Sequence, residues 1–267
     1  MKIHYRATKP YLSHAFRRIE EGIASTLPNG FEMVEEQDQA DLVICPIVNI
    51  NDTKNLPKQP HIIWQLCYLT AGTGKWFDVW SNALMVVSYL KLPIEYLRLP
   101  LGYNSEIFNP IGRTTPKYDV VVTGYVDEDD NGEVISRLVD HFPKVMHVGR
   151  NFNIRKPGYY HAENVSDTQL AEIYRNSKYV AGMRMIEGFE LPIIEGAACG
   201  CKPITLDLEC YRHWFDGLAF FVDPEHMDTD LKLASRMNWY EPVRTQKFTW
   251  ENVMKEFWNT LMNGVMK

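Results

Sequence analysis

Two glutamates, Glu187 and Glu195, stand eight positions apart in the segment 187–205, which reads E-G-F-E-L-P-I-I-E-G-A-A-C-G-C-K-P-I-T. Pro192 fits only the first turn of a helix, and Gly200 is the natural left-handed residue beyond a helix end. A short helix over 191–199 is therefore expected, feeding an apolar strand at 203–205. Glu195 falls inside that helix among Ile193, Ile194, Ala197 and Ala198, where a carboxylate needs a partner. Glu187 precedes it, on the loop that enters the helix. The backbone N–H groups and the positive end of the helix dipole at 188–192 make an anion site suited to a phosphate. Two carboxylates flanking an anion site suit a ligand that carries both hydroxyls and phosphates, as a nucleotide sugar does.

Such a unit has to be held by a larger frame. The chain opens as strand, turn and helix: a short strand at 1–5, a polar turn from Arg6 to Pro10, and a helix over 13–25 with Ala15, Phe16, Ile19, Ile23 and Ala24 on one face. Segments 40–45 and 61–67 are nearly continuous apolar runs, as parallel strands covered on both faces should be, and 83–89 is a further strand. The first half thus reads as a small doubly wound domain. The polar run 111–117, with Pro at both flanks, marks a domain boundary. Beyond it come a strand at 119–124 closed by Gly124, a helix at 134–142, a strand at 145–149, a helix at 168–176, and a strand at 179–183 that leads into the glutamate segment. The tail carries Trp250, Val253, Met254, Phe257, Trp258, Leu261, Met262 and Val265 at helical spacing. Its other face mixes acid and base without a Lys/Arg excess, which favours packing within the protein over a membrane surface.

A chain of 267 residues, 45% hydrophobic, can bury two cores. A net charge of −6 argues against a broad basic face for nucleic acid. The five cysteines, Cys45, Cys67, Cys199, Cys201 and Cys210, form no C-x-x-C pair and sit mostly in apolar surroundings, the pattern of reduced thiols in a cytoplasmic protein, and no metal is expected. No run approaches a membrane span and the N-terminus has no apolar signal core, so a soluble, cytoplasmic protein without stable membrane insertion is expected.

The glutamate segment resembles the signature of the retaining GT-B glycosyltransferases of the group 1 type, often called family 4: E-G-F-G-L-P-x-x-E-A-x-A-x-G-x-P-V. The matching residues are Glu187, Gly188, Phe189, Leu191, Pro192, Glu195, Ala198, Gly200 and Pro203. Segment 99–110 is similar to the family's P-x-G-V-D-x-x-x-F-x-P, and Val165-Ser166-Asp167 with the helix after it to V-S-D-x-E-L-x-x-L-Y. The resemblance implies an α/β fold of two Rossmann-like domains facing a cleft, at 1–112 on the acceptor side and 113–245 on the nucleotide-sugar side, with a helix in 246–267 crossing back to the first. It implies transfer of a sugar from a nucleotide diphosphate sugar to a hydroxyl acceptor, with retention of configuration and without a metal or other cofactor. Glu187 would face the donor sugar, Glu195 the ribose hydroxyls, and the amides around Phe189, Glu190 and Leu191 the diphosphate, with Gly188, Gly124 and Val165 lining the donor site. Glu190 stands where the family most often has Gly, which alters the loop or places a third carboxylate near the sugar.

A second departure concerns charge. The family places an Arg and a Lys just after the first strand of its second domain, and neither occurs between Gly124 and Gly132. Arg150, Arg155, Lys156 and Arg184 are the nearby basic candidates, and Arg184, three residues before Glu187, is preferred as the group that neutralises the diphosphate. The acidic run 127–130 contains D-x-D but follows a Rossmann-type strand, where such runs are solvated turns that cap a helix. Thr70-Ala71-Gly72-Thr73-Gly74-Lys75 lacks the first Gly of a phosphate loop and has Trp76 in place of Ser or Thr, so it reads as a flexible loop lining the cleft. On the acceptor side Arg6, His14 and Gly72 are candidates, without a motif to rank them, and His61 is a further histidine there. The acceptor is open among a glycan, a lipid, a small molecule and a modified DNA base. The alternatives are a non-catalytic nucleotide-sugar or glycan-binding protein of the same fold and an enzyme that glycosylates modified bases of DNA.

Overall fold

The computed structural model describes residues 1–6, 13–47, 50–66, 73–124, 132–150, 154–185, 189–237 and 243–265. They form two compact units, Met1–Gly102 with Phe248–Lys267, and Tyr103–Lys247.

The first unit is built on a parallel six-stranded sheet of β1 (Lys2–Tyr5), β2 (Glu32–Met33), β3 (Leu42–Ile47), β4 (His61–Gln65), β5 (Met85–Ser88) and β6 (Leu97–Arg98), in the order β2-β1-β3-β4-β5-β6. Every residue of β3, β4 and β5 is buried, because strands covered on both faces have no solvent side to encode. Helix α1 (Ser13–Ser25) buries Ile19 and Ile23. The expectation of a loop over residues 70–75 fails from Thr73 onward, where α2 (Thr73–Ser81) begins. Trp76 and Trp80, one turn apart, are both buried and stack at 6.0 Å, so tertiary burial outweighs the weak helix preference of Thr and Gly at its start.

The C-terminal segment belongs to this unit. It contributes α8 (Trp250–Thr260), which is N-capped by Thr249 and followed by a π-helical turn, Leu261–Val265. Phe257 stacks on Trp64 at 5.6 Å, and Trp258 Nε1 donates to Thr26 Oγ1 at 3.4 Å. Trp250, 5% exposed, lies over the bare Cα atoms of Gly22 and Gly102, where any side chain would overlap the indole.

The second unit holds another parallel sheet, of β7 (Tyr118–Thr123), β8 (Val145–Val148), β9 (Tyr159–Ala162), β10 (Ser177–Gly182), β11 (Lys202–Leu206) and β12 (Phe220–Val222). Its order, β12-β11-β10-β7-β8-β9, is that of a dinucleotide-binding Rossmann sheet. Its helices are α3 (Gly132–His141), α4 (Asp167–Arg175), α5 (Leu191–Ala198), α6 (Glu209–Phe215) and α7 (Met227–Arg236). A capping box of Ser166 and Gln169 starts α4.

Two arginines tie this unit together through main-chain oxygens. Arg113 Nη2 donates to the Ser177 carbonyl at 2.9 Å, and its Nη1 to the carbonyls of Tyr174, Arg175 and Cys199 at 3.4, 3.4 and 3.2 Å, where α4 and α5 end. Arg175 donates to the carbonyls of Ile107 and Asn109 at 2.8 and 2.9 Å, and Phe108 packs on Tyr174. Cys199 and Cys201 lie beneath this tie, and burial pushes both thiols up to about 12.

Candidate functional site

In an open parallel sheet, ligands bind beyond the carboxyl ends of the strands, where the chain reverses its direction of build. The second sheet grows from β7 through β8 to β9, then returns to β10 on the other side of β7. The crevice therefore lies at the ends of β7 and β10, where Gly124 and Arg184 stand.

Gly124 (φ +128°) leaves β7 and Gly149 (φ +145°) leaves β8, both in backbone conformations that favour glycine. They touch: a methyl on Gly149 would collide with the Gly124 carbonyl. A methyl on Gly124 would lie 3.4 Å from Arg184 Nη2 and 3.6 Å from its Nε, so the guanidinium covers the bare Cα at the end of β7. This puts a cation on the strand end that the sequence leaves without Arg or Lys.

Arg184 is held by its own main chain. Arg184 lies two residues beyond Gly182, the last residue of β10 in register with β11. Its N–H donates to Glu190 Oε1 at 3.4 Å, and its carbonyl accepts from the Tyr211 hydroxyl at 3.0 Å. The same hydroxyl lies 3.0 Å from Glu190 Oε1. The carboxylate packs over Gly182, where a Cβ would overlap its Oε2. Glu190 and Tyr211 are both buried, at 6% and 0% exposed.

Glu190 is also the N-cap position of α5, and its side chain makes no capping hydrogen bond. Phe189 and Leu191 are buried, Phe189 against Trp214 and Phe215 of α6, so these positions meet a ligand only through their main chain. Helix α5 is buried almost throughout, with Gly196 pressed on Val180 of β10. Glu195, 1% exposed on α5, lies near enough to Cys199 for its charge to help raise that thiol, after burial itself.

His147 of β8, fully buried, braces the Gly124 turn from behind. Its Nε2 lies 2.9 Å from the Gly124 carbonyl and its Nδ1 2.8 Å from the Tyr159 hydroxyl. A carbonyl only accepts, so Nε2 carries the proton and Nδ1 accepts from Tyr159. Burial lowers the His147 pKa below its ordinary 6.5, with the Gly124 hydrogen bond opposing and His161 adding to the effect. The unfolded chain then takes up a proton first as pH falls below about 6.5, and stability present above that pH is lost. Relative to His147→Gln, the wild-type stability in urea should be highest above about pH 7 and decline toward pH 5. A difference that stays constant over that range rules this account out.

The remaining candidates are dispersed. Arg150 follows Gly149 at the end of β8 and is exposed. Lys156 is bound to Asp140 and the Ser136 carbonyl of α3. Val165 lines a hollow of about 260 Å³ along α4 with Lys117, Tyr118 and Gln169, not the Gly124–Arg184 pair. In the first unit Arg6 follows β1, whose carboxyl end and that of β3 form the corresponding switch point. Its Nη1 is buried without a hydrogen-bond partner among the described residues, and the Cys45 thiol beside it is pushed up to about 11 by burial, with Arg6 opposing. His14 is on α1, but its side chain, like Glu187, Gly188, Gly72 and the acidic run 127–130, lies outside the described residues. Among the described residues no cluster of His, Cys, Asp and Glu could hold a metal, and no helix is long and apolar enough to cross a membrane. Tyr211, Gly182, Gly149 and His147 carry no motif. Only the end of the strand V-M-H-V at Gly149 hints at a turn of this kind.

No protein-family model matches the sequence, and neither does any curated protein. Solved structures do match in fold. A glycosyltransferase involved in avilamycin A biosynthesis, AviGT4, superposes over 98% of both chains with a TM-score of 0.67 at 9% identity. HepE of Anabaena, solved with UDP and glucose, covers 98% of this chain and 99% of its own with a TM-score of 0.67 at 10% identity. An α-glucosyltransferase solved with UDP and a 13-mer DNA covers the same shares with a TM-score of 0.65 at 10% identity. Likeness at such identity speaks for architecture, and the chain has the GT-B fold of these glycosyltransferases.

Proposed function

We propose that this protein transfers a glycosyl group from a nucleoside diphosphate sugar to a hydroxyl acceptor, with retention of configuration, in the manner of the family 4 enzymes its glutamate segment resembles. The observation that carries the reading is the convergence of Gly124, the Arg184 guanidinium and the entry to α5 at the switch point of the second sheet, where a diphosphate would find a cation and helix amides together. The nucleoside is proposed to be uridine, since UDP is the nucleotide in the solved HepE and α-glucosyltransferase complexes.

Retention needs no protein nucleophile in this reading. As the glycosidic bond breaks, negative charge gathers on the leaving diphosphate, and groups already aimed at it stabilise that charge without reorganising. Arg184 and the main chain around Phe189 to Leu191 take this role. The diphosphate accepts the proton of the incoming hydroxyl, Glu187 orients the sugar, and Glu195 holds the ribose.

An acceptor within DNA is a second reading, favoured by the full-length fold match to the α-glucosyltransferase solved with a 13-mer DNA. Binding to duplex DNA that falls steeply with salt would support it, and the net charge of −6 weighs against it.

Thermal unfolding with UDP, GDP, ADP and their glucose conjugates tests the donor site. A nucleotide at about 100 times its Kd should add roughly 2.7 kcal/mol, a rise of several degrees, and Glu195→Ala should abolish it. No shift with any of them overturns the transferase reading.

A further inference from the structure

We infer that Glu190 serves this site as a positioning residue that fixes Arg184, and not as a ligand of the donor. The inference rests on the reading of the switch point as a donor site, and it is drawn from the direction in which the carboxylate points.

Both Glu190 oxygens face inward. Oε1 meets the Tyr211 hydroxyl at 3.0 Å and the Arg184 N–H at 3.4 Å, and Oε2 lies over Gly182. The single Tyr211 hydroxyl proton is shared between Glu190 Oε1 and the Arg184 carbonyl, so two buried side chains from α6 and the start of α5 hold both polar groups of one peptide segment. That segment has just left β10, and these contacts answer for the hydrogen-bonding capacity of its backbone. The clamp sets the Arg184 Cα, and from there the guanidinium reaches the bare Cα of Gly124. A cation held in advance loses less freedom when it meets a phosphate than one on a loose loop. Gly182 is part of the device, since a methyl there would displace the carboxylate.

The carboxylate has an opposing effect. A negative charge at the start of α5 repels a diphosphate bound there. Glu190→Gln keeps an oxygen that accepts from Tyr211 and Arg184 while removing the charge. Glu190→Ala removes both, and Tyr211→Phe removes the hydroxyl while keeping the ring that packs on Phe215. These variants separate a positioning role from mere electrostatics.

The experiment has two arms on the full chain. In the first, amide hydrogen exchange at Arg184 is measured without ligand. Exchange there should quicken about tenfold or more in Glu190→Ala and Tyr211→Phe, while Val180 and Ala181 inside β10 stay protected. Unchanged exchange at Arg184 overturns the clamp, whatever the protein binds. In the second, UDP binding is measured by calorimetry. Arg184→Ala should weaken UDP about tenfold, Glu190→Ala and Tyr211→Phe roughly three- to tenfold, and Glu190→Gln should bind at least as tightly as wild type. Adding Tyr211→Phe to Arg184→Ala should weaken UDP no further, because the hydroxyl acts through the arginine. Tighter binding by Glu190→Ala, or additive losses in the double variant, overturns the positioning role. A wild-type protein that does not bind UDP removes the donor reading and this role with it, while the exchange arm still reports the clamp by itself.

Discussion

Turnover by Arg184→Ala should fall about 100- to 1,000-fold, with little change in the unfolding midpoint. The removal of one preorganised donor from a site of developing charge costs roughly 2.7–4 kcal/mol of transition-state stabilisation, which is a loss of that size. The segment directly after Gly124 cannot replace it, since residues 125–131 read Y-V-D-E-D-D-N and bring four acids and no base. Arg150 stands at the neighbouring strand end, after Gly149, but Arg184 is the side chain that covers Gly124. Arg184→Lys should recover only a small part, because a single ammonium cannot span two phosphate oxygens as a planar guanidinium does. The measurement is release of UDP from UDP-glucose, with water or an added alcohol as acceptor, alongside circular dichroism. A wild-type rate in Arg184→Ala would show that the diphosphate is neutralised by another group.

The largest stability effect is expected at the other end of the chain. Trp250→Ala should lower the unfolding free energy by about 3–5 kcal/mol, as for other buried aromatic truncations. The indole occupies the space left by two glycines, Gly22 on α1 and Gly102 after β6, and neither can grow to fill the gap. Net stabilities of folded domains are only about 5–15 kcal/mol, so this one change should bring the first unit near its limit. Gly22→Val should be comparably damaging from the opposite cause, since its side chain would need the volume that the indole fills. Urea unfolding followed by tryptophan fluorescence and circular dichroism checks both. A loss below about 1 kcal/mol for Trp250→Ala would mean that α8 is held by its other contacts, such as Phe257 on Trp64.

Much of this architecture could be read before any coordinates. The apolar face of α1 places that helix at Ser13–Ser25, and Pro192 and Gly200 bracket α5, because these signals are local to the segment they describe. β3 and β4 are legible as nearly continuous apolar runs for the same reason. The unread elements lack such signals. β2 and β6 are two residues each, too short for any period, and β9, Y-Y-H-A, is an edge strand with exposed polar positions. α2 opens on Thr-Gly-Lys, and its helical face becomes visible only from Trp76.

The site divides along the same line. Arg184 can be proposed because it stands three residues before Glu187, and Glu190 stands out as a departure from Gly. Where Glu190 points is another matter. Its hydroxyl partner comes from a helix 21 residues further along, and its room comes from a missing side chain on β10. Only the pairing of β10 with β11 brings these together, and no local pattern encodes a contact of that range. The His147 brace is hidden in the same way, since a histidine in an apolar strand reads as core until the carbonyl it holds is located.

The arginine tie of the second unit bears on how such a chain can drift while keeping its shape. Among the described residues, the oxygens that Arg113 and Arg175 bond are main-chain carbonyls, at positions 107, 109, 174, 175, 177 and 199. A carbonyl is present whatever residue occupies the position, so the tie tolerates substitution at all its receiving ends and concentrates its vulnerability in two guanidinium groups. Ancestry can thus erase the identities around such a node without loosening it, whereas a scaffold held by matched side-chain pairs would need both partners to change in step.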